Sequence, residues 1–226
     1  MFDTQTIPLF PLDVVLFPGM VLPLHIFEPR YRKMIRDCVA SGEGFGMVWT
    51  ESEPVELLPD QPLIGTRAML TEVEPLDDGR FNVQAVGGER FRVRSLSYEE
   101  PYLVGHIEPF PPRGAQSRVA RSLMAPLTRL LQEYLALLSD ALGQEISISQ
   151  TPADPVTLAF VVAILYQCPN PVKQELLSIE SIPDMMRKGM DLLRVENAII
   201  RQGLAMREEG TVPPLLEGSM ISFGLN

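Results

Sequence analysis

Lysine is almost absent from this chain: Lys33, Lys173 and Lys188 are its full complement in 226 residues. Cysteine is as scarce, with Cys38 and Cys168 alone, so no disulfide framework can hold the fold together. His25 and His106 are the two histidines. A metal site needs three or four ligands, and no His or Cys pair stands at ligand spacing. No glycine precedes a lysine, which removes the G-x-x-x-x-G-K-[ST] phosphate loop. G-x-S-x-G, H-E-x-x-H and S-x-x-K are missing as well. The expected reading is therefore a chain without catalytic, cofactor-binding or metal-ligating residues. No apolar run reaches the ~18 residues that a membrane span needs. The opening MFDTQTIPLF has neither a basic n-region nor a cleavage site, so no signal peptide and a cytoplasmic location are expected.

Positive charge is also in short supply. Nineteen Lys and Arg face 29 Asp and Glu, a net charge of −10. Affinity for nucleic acid rests on clustered cations, so no nucleic-acid partner is expected. Anionic membrane surfaces are disfavoured for the same reason. The deficit is uneven: residues 1–112 carry a net −8 and residues 113–226 a net −2.

What is present is a packed-core composition, 46% hydrophobic, with 21 prolines. The prolines argue for edge strands, turns and helix starts. The composition changes near Pro111-Pro112, giving a β-rich unit over 1–112, a helical unit over 113–210 and a tail over 211–226. In the first unit, residues 6–12, 21–27, 45–50, 63–73, 81–86, 91–96 and 102–107 read as strands. Pro8, Pro11 and Pro23 confine their strands to edges or bulges. Asp77-Asp78-Gly79 and Gly87-Gly88 read as hairpin turns. One helix interrupts the strands: Pro29 starts it, Tyr31, Met34, Ile35, Cys38 and Val39 form its apolar stripe, and Ser41-Gly42 ends it. Such spacing predicts a small, partly closed barrel carrying one helix.

In the second unit, residues 115–142 carry a helical stripe, with a kink or break expected at Pro126. Asp154-Pro155 opens a buried helix, a short one covers 171–178, and Ser181 with Asp184 opens the last. Met186, Met190, Leu193, Asn197, Ile200 and Leu204 alternate four-three spacings, a coiled-coil seam with one polar member. It suits packing within an intramolecular bundle or docking onto a partner. Between the first two strands, Val14 to Val21 is very apolar for a turn. It either tucks into the barrel core or forms a patch for a polypeptide, with Phe17 and Met20 as contacts and Tyr31 nearby. Tyr31 fits a core position equally well.

Residues 7–12, IPLFPL, and 15–31, VLFPGMVLPLHIFEPRY, closely resemble the opening of the Lon protease N-terminal domain. Ile64-Gly65-Thr66, Asp78-Gly79-Arg80, Gly88-Glu89-Arg90-Phe91-Arg92-Val93 and Lys173-Gln174-Glu175-Leu176-Leu177 agree with it in order. The resemblance covers roughly residues 5–205. It implies an α+β fold, a PUA-like β pseudobarrel with one helix followed by a C-terminal helical bundle. It also implies a non-catalytic module that captures unfolded or apolar polypeptide segments, in a stand-alone bacterial form lacking the ATPase and Ser-Lys protease domains. Docking onto a protease or ATPase in trans is the alternative, and PUA-like RNA binding a further one that the acidic barrel opposes.

Overall fold

The computed structural model describes residues 5–51, 55, 62–148 and 150–208; the tail expected at 211–226 lies outside the described residues. Six strands and one helix come first: β1 (Gln5–Leu12), β2 (Val21–Ile26), α1 (Pro29–Ser41), β3 (Phe45–Trp49), β4 (Ile64–Pro75), β5 (Phe81–Ser97) and β6 (Val104–Pro109). Four helices follow: α2 (Arg118–Leu142), α3 (Pro155–Leu165), α4 (Asn170–Ser178) and α5 (Ile182–Glu208). The sheet order is β2-β5-β4-β3-β1-β6, and β6 also pairs with β5. That extra pairing closes β5, β4, β3, β1 and β6 into a ring and leaves β2 attached to β5 outside it.

The prolines explain how the strands change partners. In β1, Gln5 to Pro8 pair with β6 and Leu9 to Leu12 pair with β3. Neither Pro8 nor Pro11 is paired on both sides, so its missing donor costs little. β2 pairs with β5 alone. Gly87 N donates to Met20 O at 2.9 Å, which sets the phase of that ladder. Leu22, Leu24 and Ile26 turn their backbone groups toward β5, and Val21, Pro23 and His25 turn theirs to the open edge. Pro23 thus stands where a missing N–H blunts the edge against another strand.

The glycine pair at 87–88 does not turn the chain. β5 runs unbroken from Phe81 to Ser97, pairing with β2 and β4 in its first part and with β4 and β6 in its second. Gly87 is needed for close approach instead. Gly19 N donates to Gly87 O at 2.7 Å, and a Cβ on Gly87 would overlap the Phe17 carbonyl. The glycine signal marked backbone contact, not reversal. Asp77-Asp78-Gly79 does reverse the chain, with Gly79 at φ 80° and Leu76 N donating to Arg80 O at 2.9 Å.

Three cores follow. Ile7, Leu9, Val48, Phe91, Val93 and Ile107 fill one cluster between the ring strands. Tyr31, Met34, Ile35 and Cys38 of α1 pack on the inward residues of β2, β4 and β5. The fifth member of the expected α1 stripe, Val39, is 55% exposed. The helices make the third core, which takes in Val15, Phe17 and Ile64 from the strand half.

In that helical half, α2 continues through Pro126 rather than breaking there. Full burial of Leu127, Leu131 and Tyr134 outweighs one lost backbone bond. α3 starts as expected, Asp154 Oδ1 accepting from Val156 N and Thr157 N at 3.0 and 2.9 Å. Bonds from Thr157 hold the Asp154 carboxyl below its ordinary range. Its folded pKa is depressed, so its contribution is present above the ordinary carboxyl pKa and is lost as pH falls through the folded one. Asp154→Ala is expected to cost about 1 kcal/mol in urea unfolding at pH 7. Asp154→Asn should keep most of that stability and lose its acid sensitivity; an unchanged midpoint for the Ala variant would rule the cap out.

α5 packs along α2. Asn197 Nδ2 donates to Leu130 O at 3.3 Å and an Arg207 amine to Ala141 O at 3.0 Å. Similar offsets of 67 and 66 residues mean that the two helices run in the same direction. Met186, Met190, Leu193 and Asn197 are buried in this contact and Ile200 packs against the same core. The seam is therefore intramolecular, which removes it as a docking stripe.

Candidate functional site

The 14–21 segment is split: Val15, Leu16 and Phe17 are buried, Met20 is half-buried and Val21 is exposed. Phe17 is 1% exposed and joins Val15 and Ile64 in the helical core. Tyr31 is 4% exposed, its ring 4.2 Å from that of Phe10. Met20 is half-buried between the two cores. Burial of Val15 and Phe17 is a tertiary effect, because they join the core of α2–α5, whereas Val14 and Leu16 join the core under α1. Neighbouring polar contacts fix the loop there. Asn170 Nδ2 donates to Asp13 O and Oδ1 at 2.8 and 2.9 Å, and Trp49 Nε1 donates to Asp13 Oδ1 at 2.9 Å. These bonds, that from Asn170 the stronger, hold the Asp13 carboxyl below its usual range.

Arg90 sits deeper in the same joint, 3% exposed. One amine donates to Leu177 O and Ile179 O, both at 2.7 Å, and so closes the C-terminal end of α4. The guanidinium lies 4.8 Å over Phe110 and 5.4 Å over Phe160. Burial pushes its pKa down to about 10, which leaves it charged at neutral pH. Gln174 Nε2 adds a bond to Ile64 O at 2.9 Å. This cluster joins strands to helices, and Arg90 also lines a cleft of about 370 Å³ beside Glu89 and Pro109.

The accessible surface is the outer face of β2, β5 and β4. The registers place side chains in rows across it: Val21–Val86–Met69, then Pro23–Gln84–Glu72, then His25–Asn82–Glu74. Val21 is 56% and Met69 44% exposed. Successive rows are two residues apart along β2 and β5, ~7 Å, while on β4 a bulge between Leu70 and Glu72 places Glu72 three residues beyond Met69. A shallow groove of about 540 Å³ covers the second and third rows, lined by Pro23, His25, Glu72, Glu74, Asn82 and Gln84 among others. A second cleft of about 370 Å³ begins at Met69 and continues past Arg67, Glu89 and Pro109. The apolar row lies between the two.

Charge on the face is one-sided at the groove. Arg80 Nε pairs with Asp78 at 2.6 Å, and its NH1 lies 3.1 Å from His25 Nε2. Arginine can only donate, so Nε2 accepts and the proton of neutral His25 lies on Nδ1, bonded to Asn82 Oδ1 at 2.8 Å. Asn82 Nδ2 in turn donates to Glu74 at 3.1 Å. Glu72 and Glu74 make no ion pair among the described residues. Phe27, 60% exposed, stacks on His25 at the far end.

Sequence reasoning missed these rows. In β2 the run V-L-P-L-H-I is apolar in both phases, so alternation could not tell the outward Val21 from the inward Leu22. The signal that could have found the acidic part is T-E-V-E at 71–74, which alternates cleanly. The remaining singled-out residues are chemically quiet. Burial pushes the Cys38 thiol up to about 11, far from a nucleophilic thiolate, and raises that of Cys168. His106 Nδ1 meets Thr6 Oγ1 at 2.9 Å. Among the described residues no cluster of three His, Cys, Asp or Glu is placed to hold a metal, and no helix is long and apolar enough to cross a membrane.

Comparison with known proteins adds a family. Residues 6–195 match the profile described as the ATP-dependent protease La (LON) substrate-binding domain. The Lon protease of Anaeromyxobacter dehalogenans is 26% identical over 200 residues, 86% of this chain and 24% of that protein. Lon protease 2 of Myxococcus xanthus is 26% identical over 202 residues, 87% of this chain and 24% of its own length. The chain thus spans about a quarter of the length of the curated relatives it matches. Among solved structures, the N-terminal domain of Mycobacterium avium complex Lon protease aligns with a TM-score of 0.63 at 20% identity, covering 84% of this chain and 98% of that one. A Lon N-terminal domain protein from Xanthomonas campestris aligns at 0.55 with 23% identity, covering 81% and 95%. At these identities the structures establish the fold alone.

Proposed function

The chain belongs to the family of LON substrate-binding domains, and from that premise we propose that it is a non-catalytic, cytoplasmic recognition module for unfolded or apolar polypeptide segments, serving proteolysis or protein quality control. The observation that carries the reading is the exposed Val21–Val86–Met69 row between two clefts on an otherwise polar face. Exposed apolar surface rimmed by polar groups suits a partner's apolar side chain. Pro23 on the open edge of β2 argues for binding over the face rather than for strand addition, because an added strand would lack one donor. Of Phe17, Met20 and Tyr31, Met20 retains surface beside Val21, and the other two act through the packing beneath it. The closed ring of strands with one helix fits the PUA-like type, as part of the same proposal.

The test is fluorescence anisotropy with a permanently unfolded model polypeptide and a native protein as control. Binding at micromolar concentration or tighter is expected for the unfolded chain alone. Val21→Asp combined with Met69→Asp should weaken it at least tenfold while leaving the thermal midpoint nearly unchanged, since both side chains are exposed. Equal affinity for the variant would remove the face from the reading. A second reading, docking onto a protease or ATPase in trans, is favoured by Val195 and Ile199, 60% and 54% exposed one turn apart on α5. Loss of co-purification with such a partner in Val195→Lys, with polypeptide binding intact, would support it.

A further inference from the structure

We propose that the outer face of β2, β5 and β4 selects polypeptide segments in which an apolar residue is accompanied by Lys or Arg two and four positions away. This rests on the reading that the face binds polypeptide, and it adds the chemistry of the segment. The argument is geometric. An extended segment lying along the strands advances at the same ~7 Å per two residues as the rows on β2 and β5, and the β4 bulge between Leu70 and Glu72 keeps Glu72 in the second row. With its apolar side chain over Val21, Val86 and Met69, its next same-facing side chain lies over Glu72 and the one after over Glu74.

Charge complementarity fixes the sign of those two residues. Both carboxylates are exposed at the groove and make no ion pair among the described residues. Arg80, which reaches the third row at His25, is held by Asp78 at 2.6 Å. Both ring nitrogens of His25 are already engaged, Nδ1 with Asn82 Oδ1 at 2.8 Å and Nε2 with Arg80 at 3.1 Å. Among the described residues the second row offers an acidic side chain only the uncharged amide of Gln84, and the Arg80 charge beside the third row is paired with Asp78, so a carboxylate over Glu72 and Glu74 would meet mainly like charge. A Lys or Arg can stretch its apolar stem across Pro23 and Gln84 with its charge at the carboxylates. At the other end of the apolar row the cleft carries both signs, Arg67, hydrogen-bonded to Gln5, and Glu89, so the inference concerns only the side of Glu72 and Glu74.

Three labelled ten-residue peptides of one extended sequence decide this. They carry a central Val with Lys, Ser or Glu at the positions two and four residues away. Exposed ion pairs are individually weak, so two of them predict about a fivefold preference for the Lys over the Ser peptide at low salt. The Glu peptide is expected to bind more weakly than the Ser peptide. Both differences should shrink as salt rises. The double variant Glu72→Gln and Glu74→Gln, at exposed positions where folding is not at stake, should bind all three alike. Equal affinities for the wild-type protein, or a Lys preference that survives in the double variant, overturn the inference. If unfolded polypeptide still binds in that case, the recognition function stands without it. If neither the peptides nor the unfolded chain bind, both fall together.

Discussion

Gly65→Ala is expected to destabilise the protein by about 3 kcal/mol, the upper part of the range for overpacking a core. Gly65 is the second residue of β4, buried between β3 and β5. A Cβ there would overlap the Met47 carbonyl and reach 2.5 Å from Phe91 Cζ. Phe91 is 1% exposed and fills the space that Gly46 and Gly65 leave open across the ring. The two obstacles respond differently. An aromatic ring can shift if its neighbours allow, but a carbonyl engaged in the β3–β4 ladder can move only with its strand. Phe91→Leu should therefore relieve part of the Gly65→Ala penalty and leave the rest. Urea unfolding of the four proteins in this cycle measures the partition. A penalty under 1 kcal/mol for Gly65→Ala would show that β3 has freedom this packing denies it. At Gly46 the close atoms are the ends of the Ile7 and Leu9 side chains, both at 2.7 Å, and Phe91 Cζ at 2.6 Å. All belong to side chains, so Gly46→Ala should cost less.

The division into strands and helices was legible because its signals are local. Pro29 and Gly42 bracket α1, Asp154-Pro155 opens α3, and the four-three spacing along α5 is the side that meets α2. Features that depend on what comes to lie opposite were not legible. Gly87-Gly88 looks like a turn in the sequence, and its real reason is the Phe17 backbone, seventy residues earlier, pressing on it. Residues 14–21 leave two readings open, a tuck into the barrel core or an exposed patch, and the structure divides them: Val15 and Phe17 enter the helical core, Leu16 the α1 core, and Val21 stays exposed. The family resemblance rests above all on residues 7–12 and 15–31, of which Phe17 builds the joint while Val21 and Phe27 lie on the surface. The residues of the proposed face come from three strands far apart in the chain, and each strand alone is unremarkable. Arg90 illustrates the same limit: it reads as one more charged residue in G-E-R-F-R-V, and burial at 3% exposure could not be foreseen.

For Arg90→Ala the expected loss is about 3–5 kcal/mol, the scale for removing one member of a buried charged contact. Three effects add. The side chain leaves a cavity against Phe110 and Phe160. The carbonyls of Leu177 and Ile179 lose their shared donor at the end of α4. The link from β5 to the helical core is cut at its centre. Arg90→Met separates these effects. It fills most of the volume and removes the charge, so the buried Nε and second amine that lack partners no longer cost anything. The carbonyls remain orphaned. An intermediate loss of about 1–3 kcal/mol is expected. Stability equal to wild type would mean that closing α4 contributes nothing net. Hydrogen exchange should localise the change, with amides of α4 exchanging faster in both variants. Across pH 5–9 the wild-type contribution should be flat. A base whose folded pKa is lowered to about 10 is protonated in both states below that pH, and only above it does the folded state lose its proton first and gain stability relative to the unfolded chain. The effect should also reach the proposed face. α4 holds Asp13 through Asn170, and Asp13 leads through Phe17 into Val21. A looser α4 leaves Val21 less firmly placed, so Arg90→Met should weaken polypeptide binding in step with α4 exchange. Undiminished binding in a variant whose α4 exchanges freely would show that β5 alone positions the apolar row.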